Sequence, residues 1–572
     1  MPETPTRLQN LLATACSCHP RRIAIRSSGH QITFGQLQLQ VDRLSAGLLD
    51  LGVQPGARVA WLLPNSIEAV TTTLACYQVG AVSVPLNYRF VAEEAMDVLD
   101  RTGAEILIFH HDREPMIADL SDARPQLRCV SVGPSALPVE EFSSLFRTVE
   151  SSKPSAVTVP EDSPALILFT SGSTGRPKGV VHSHEGSFCA IDVSRQVFGF
   201  DETDVVMVGK PISHAGGLQT QLLPALLAGA EVILEDRPIP DRAVELIRQF
   251  SVTQCALLAS DLLDFVEYLE LHSVELPSLN NLIGSGDSVP IDLHQRFLDI
   301  FGWQVMEGAG MTEVGGYYAV NPRDGTRKWG SLGLPTPGTK LRVVDDHGHD
   351  CPPETHGEII LQSESTTTGY WENDVATTEL YLDGWLHTGD LGYLDSDGYV
   401  WFVGRKKLMI VCRGSNIAPA EVENALDEHP LVRASVVVGV KDDRDGQVPV
   451  ACVALIPGTP LSTTEADLRQ CVHQRLAEYK NPANYLFLDE LPRTRTGKFD
   501  RSKLQELAEE QFGSTTRTRR TAETISDQLH VCRSLVKPTE RTMDACRGER
   551  SVTRCKPESF HRPGSFVNHL RP

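Results

Sequence analysis

The sequence predicts an α/β protein: a large N-terminal domain of parallel-sheet βαβ subdomains with a small β-barrel, followed by a small α+β domain. Three observations carry this. Apolar strand-length runs alternate with helix-length stretches through the first third and again over 205–263. After Trp329 the strand runs shorten and are separated by Gly and Pro turns. Beyond about residue 408, helix and strand patterns return in a unit of roughly a hundred residues, an ordinary domain size.

Taken in order, 58–63 reads as a buried strand, 67–79 as a helix, 81–85 as a strand, 91–102 as a helix and 104–110 as a third strand. Short strands at 340–344, 357–362 and 399–403 make the antiparallel part. A boundary falls near 404–408. The C-terminal unit reads helix 420–426, strands 433–440 and 448–456, and helix 464–476. The expected domains are 1–404, a hinge at 405–408, a small domain at 409–510, and a basic, disordered tail at 511–572. From Gly513 onward the tail holds 12 Lys/Arg against 6 Asp/Glu, with few aliphatics and no periodicity.

The 572 residues carry a net charge of −21, which argues against general nucleic-acid binding because that needs a basic face. No apolar run approaches the ~20 residues of a transmembrane span, and the N-terminus lacks a secretory pattern. The 13 cysteines show no paired zinc spacing and read as reduced thiols of a cytoplasmic protein.

The densest chemical signal is Leu168-Phe-Thr-Ser-Gly-Ser-Thr-Gly-Arg-Pro-Lys-Gly-Val180. An apolar strand runs into a loop with Gly172 and Gly175, which let backbone N–H groups converge on an anion. Thr170, Ser171, Ser173 and Thr174 add neutral donors, and Lys178 adds a cation suited to phosphate. The spacing is not that of a Walker loop. A plain Gly/Ser linker would not follow a buried strand or enclose Pro-Lys-Gly.

This run resembles the phosphate-loop signature of the acyl-adenylate-forming enzymes: acyl-CoA synthetases, adenylation domains of peptide synthetases, and luciferases. The resemblance spans about 33–504 and rests on several motifs in order. Gly308-Ala-Gly-Met-Thr-Glu313 resembles the second signature. It implies nucleotide contacts from Gly308, Ala309, Gly310 and Met311, an α-phosphate contact from Thr312, and Mg²⁺ held by Glu313 with Thr170. The family usually has Tyr, stacked on adenine, where Ala309 stands. Gly284-Ser-Gly-Asp287 resembles the strand end bordering adenine and the acyl group, which implies contacts from Ser285, Gly286 and Asp287. Trp385-Leu-His-Thr-Gly-Asp390 and Gly404-Arg405 resemble the ribose signature, with Asp390 accepting from both hydroxyls and Arg405 donating.

Pro492-Arg-Thr-Arg-Thr-Gly-Lys498 resembles the C-terminal lysine signature. There Lys498 would relieve repulsion between the acid's carboxylate and the α-phosphate and stabilise the transition state. His214, in Lys210-Pro-Ile-Ser-His-Ala-Gly-Gly217, matches the family's gate beside the acyl site. Amino-acid-activating relatives carry an Asp near this position; Ile212-Ser213-His214 points away from amino acids. In the hinge, Leu408 stands where Asp is typical, and Arg413 where Gly is usual.

The resemblance implies ATP, Mg²⁺ and coenzyme A as cofactors and co-substrates, and a small-molecule carboxylic acid, fatty or other non-amino acid, as substrate. Acyl-AMP formation with pyrophosphate release would precede transfer to coenzyme A. Two alternatives remain open: an acyl-AMP ligase that loads an acyl carrier protein, and a non-catalytic nucleotide-binding homologue.

Overall fold

The computed structural model describes residues 6–147, 157–170, 177–236, 238–285, 289–412, 415–442, 445–459, 461–494 and 497–513. The tail expected at 511–572 lies outside the described residues from 514 on. Among the described residues no helix is long and apolar enough to cross a membrane.

Among the described residues the strands form three sheets. The first has eight strands. Its parallel centre is Arg58–Leu62, Val82–Pro85, Ile106–His110 and Arg128–Val132. Pro164–Thr170 joins this centre in parallel and turns back, antiparallel, into Lys178–Ser183. The helix Ile67–Val79 is set by its ends: Ser66 Oγ accepts from Ala69 N–H at 3.3 Å, and Gly80 closes it at φ 72°.

The second sheet has fourteen strands. Val205–Val208, Glu231–Leu234, Gln254–Leu258 and Asn281–Ser285 run parallel, with Met306–Met311 beside Asn281–Ser285. Met306–Met311 then pairs antiparallel with Gly316–Val320, which leads into the antiparallel strands of 331–405. The antiparallel part expected from its turns is thus hydrogen-bonded onto the parallel part.

The third sheet has five strands, including Val432–Asp442 and Gly446–Leu455, and lies with helices Pro419–Asp427, Leu461–Arg475 and Arg501–Phe512. Glu423 ties helix to strand. Its carboxylate takes both Arg501 guanidinium N–H groups, at 2.7 and 2.8 Å, and the Val437 N–H at 2.7 Å. Apolar clusters fill each layer; the largest fully buried side chains include Trp61, Tyr77, Tyr318 and Phe34.

Candidate functional site

The parallel strands of the second sheet end along one edge, where open α/β sheets bind ligands. Here a cavity of about 1480 Å³ opens between the sheet and the 410–513 unit. Its lining includes Ser260, Ala309, Asp390, Phe402, Arg405 and Lys498.

Asp390 and Arg405 are ladder partners on antiparallel strands Trp385–Leu394 and Val400–Arg405. Arg405 Nε stands 2.7 Å from Asp390 Oδ1, and the Tyr318 hydroxyl donates to Oδ2 at 3.0 Å. The Arg405 contact lacks hydrogen-bond alignment, so Oδ1 keeps accepting capacity. Burial raises the Asp390 pKa, while Arg405, the Tyr318 hydrogen bond and Lys498 pull it down.

Thr312–Val314 forms a short turn after Met306–Met311. Two glycines before it are required by close approach. A Cβ on Gly308 would meet the Ala319 carbonyl at 2.7 Å, and one on Gly310 the Gly316 carbonyl at 2.5 Å. The Thr312 carbonyl accepts from His182 Nε2 at 2.7 Å. Burial pushes His182 down to about 4, so the ring is neutral and donates from Nε2. Glu313 Oε1 accepts from the Tyr370 hydroxyl at 2.7 Å. Lys178 Nζ lies 4.6 Å from the centre of the same Tyr370 ring. Lys178 also faces Thr170 across its ladder, so cation, hydroxyl and carboxylate share one corner.

Lys498 sits in a tight turn. Arg493 and Phe499 bridge, the Thr494 N–H donates to the Lys498 carbonyl at 2.7 Å, and Gly497 adopts φ 95°. The turn touches the helix Ala259–His272 of the second sheet: Ser260 Oγ donates to the Gly497 carbonyl at 3.3 Å. An ion cluster holds the same seam. Arg433 reaches Asp264 at 2.8 Å and Glu267 at 3.1 Å, and Arg493 reaches Asp261 at 3.4 Å and Asp264 at 3.5 Å.

His214 is neutral. Burial, then the Lys498 charge, pushes it down to about 4, and the Asn87 amide N–H donates to its Nε2 at 3.3 Å. Lys210 Nζ donates to Ser285 Oγ. Burial lowers Lys210 to about 8, Asp261 pulls it up, and Lys498 pushes it down. The structure therefore brings Asp390, Arg405, Lys498, Ala309, Gly308 and Gly310 to one cavity, and places Lys498 within electrostatic reach of His214 and Lys210. Met311 packs beside the cluster around Val314 and Tyr318. Ser171, Gly172, Ser173, Thr174, Gly175, Gly286, Asp287 and Arg413 lie outside the described residues.

Sequence reasoning missed Tyr318, Tyr370, His182 and Asn87. None carries a motif of its own; Tyr318 and His182 stand within five residues of Glu313 and Lys178, while Tyr370 and Asn87 reach the site from distant parts of the chain.

A family model described as "AMP-binding enzyme" matches residues 12–371, and one described as "AMP-binding enzyme C-terminal domain" matches 421–498. The chain belongs to the AMP-binding enzyme family. It is an AMP-forming acid–CoA ligase of the acyl-adenylate-forming superfamily, using ATP and coenzyme A on a small-molecule acid. It is 36% identical to the feruloyl-CoA synthase of an Amycolatopsis species, over 84% of this chain and 94% of the relative. It is 33% identical to the indoleacetate–CoA ligase of Aromatoleum aromaticum, over 85% and 95%. Among solved structures, the anthranilate CoA ligase AuaEII in complex with anthranoyl-AMP superposes with a TM-score of 0.82 at 26% identity, covering 89% of this chain and 98% of that one.

Proposed function

We propose that this ligase activates an acid bearing an aromatic ring, and that Lys498 acts in the adenylation step. The acid's carboxylate oxygen attacks the α-phosphorus of ATP. The new O–P bond gives acyl-AMP, and pyrophosphate leaves. Lys498 places a cation between the two anions as charge gathers on phosphorus. Asp390 and Arg405 orient the ribose; Lys178, Thr170 and Thr312 bind phosphates. His214 lines the acyl side. The coenzyme A thiol then attacks the acyl carbonyl, and AMP leaves.

The observation that supports this is Lys498, from the 410–513 unit, sharing a cavity with Asp390 and exerting its charge on Asp390, His214 and Lys210 of the larger part. The relatives described above are named for ring-bearing acids, so these are preferred over the fatty acids that the sequence left open.

Glu313 fits a divalent cation. Tyr370 holds its Oε1, and among the described residues Oε2 has no partner. Magnesium held there would neutralise phosphate charge.

A panel of aryl and fatty acids, assayed for AMP release with and without coenzyme A, tests the reading. Coenzyme A-dependent release with the aryl acids is expected. Release that requires an acyl carrier protein would replace the acceptor, and no release with any acid would overturn the assignment.

A further inference from the structure

Lys210 follows the strand Val205–Val208 and is only 9% exposed. Its ammonium reaches Ser285 at the end of Asn281–Ser285, two strands along, so it lies over the end of the intervening strand Gln254–Leu258. Ser285 Oγ donates onward to the Leu257 carbonyl at 3.3 Å. The backbone is fixed: the Lys210 carbonyl accepts from Asn65 Nδ2 at 2.9 Å, and Asn65 Oδ1 accepts from Ile212 N–H at 2.9 Å. Among the described residues no carboxylate lies within ion-pair distance of Nζ, and Ser285 is its one hydrogen-bond partner. Among the described residues, two of its three N–H donors therefore have no acceptor. A buried cation left this way is costly unless a ligand completes it.

The position says which ligand part would do so. Lys210 stands four residues before His214, lies within electrostatic reach of Lys498, and its ammonium sits at Ser285 on the sheet edge. Gly216 leaves room beside it: a Cβ there would come no nearer to the Lys210 chain than 3.9 Å.

We propose that Lys210 is a specificity-determining residue of the acyl site, donating to an oxygen that the acid carries in addition to its reacting carboxylate. This rests on the acid-activating function proposed above and names its substrate class: ring acids with a second oxygen acceptor, anionic above all.

The test compares cinnamate, 4-hydroxycinnamate and 4-carboxycinnamate, which share a skeleton, in coenzyme A-dependent pyrophosphate release by wild type, Lys210→Met and Lys210→Gln. Wild type should favour the oxygen-bearing acids by about 10-fold or more in kcat/KM, as for a hydrogen bond to a charged group. Lys210→Met should bring the ratios toward one, and Lys210→Gln should keep part of the preference for the phenol but not for the diacid. Should the variants fail to fold, wild type alone decides through pH. Below about 8 the ammonium is charged and the diacid is preferred; above it the preference should fall. The charged and titratable groups facing it are Asp261 on the helix, Cys255 on the middle strand, and Lys498. His214 stays neutral throughout, and a change at Lys498 would affect all three acids alike. Turnover with unchanged ratios in the variants, or a pH-independent diacid ratio, overturns the inference and leaves the function standing. No turnover of any of the three overturns the function, and the inference with it.

Discussion

Asp390 and Lys498 face one cavity and are held in opposite ways. Asp390 is 3% exposed and fixed by its ladder, by the Tyr318 hydroxyl and by Arg405. Lys498 is exposed, in a turn held to the larger part, among the described residues, by a Ser260 hydrogen bond and by partly exposed ion pairs of Arg433 and Arg493. The Asp390 corner is built to stay. The lysine turn is attached through ion pairs worth about 0.2–1 kcal/mol each, which suits a part that can shift. Between them lies the turn Lys406–Leu408, with Leu408 40% exposed and unburied by either side.

The contrast can be tested from both sides. The largest effect should come from Lys498→Ala: acid-dependent pyrophosphate exchange falling by ~10²–10³-fold, as for loss of one transition-state donor, with ATP binding kept. Full exchange would show that the turn's placement has no chemical role. Next, Asp390→Ala should raise the KM for ATP by about 10- to 100-fold, the equivalent of a charged hydrogen bond of about 1.5–3 kcal/mol. It should also lower Tm by leaving the Tyr318 hydroxyl unpaired. A normal Tm and KM would mean the corner is not built around this carboxylate. Smaller still, Arg433→Ala with Arg493→Ala should slow exchange about two- to fivefold at low salt, with the difference shrinking at ~1 M salt, where the pairs are screened. The smallest change should follow Leu408→Asp: a faster thioester step in single-turnover mixing with exchange unaltered. Equal rates would remove the hinge from the comparison.

Some of this was legible and some was not, for physical reasons. Thr170, Lys178, Asp390, Arg405 and Lys498 stand in short motifs whose residue types match the chemistry proposed for them. Tyr318 lies 72 residues from Asp390, and Tyr370 57 from Glu313, so only the fold joins them. Arg433 and Arg493 look like ordinary solvated charges until the helix Ala259–His272 is placed opposite them. The parallel strands were readable from period and burial. That the antiparallel strands continue the same sheet was not, because alternation reports which face is buried and not which edge is paired.

Cys255 lies beside Lys210, on the strand over whose end the ammonium sits. Burial pushes its thiol up to about 12. A mixed anhydride is a potent acylating agent, and a thiolate beside one would compete for its acyl group. Buried and held protonated, the Cys255 sulfur is a poor nucleophile and would not compete with an incoming thiol.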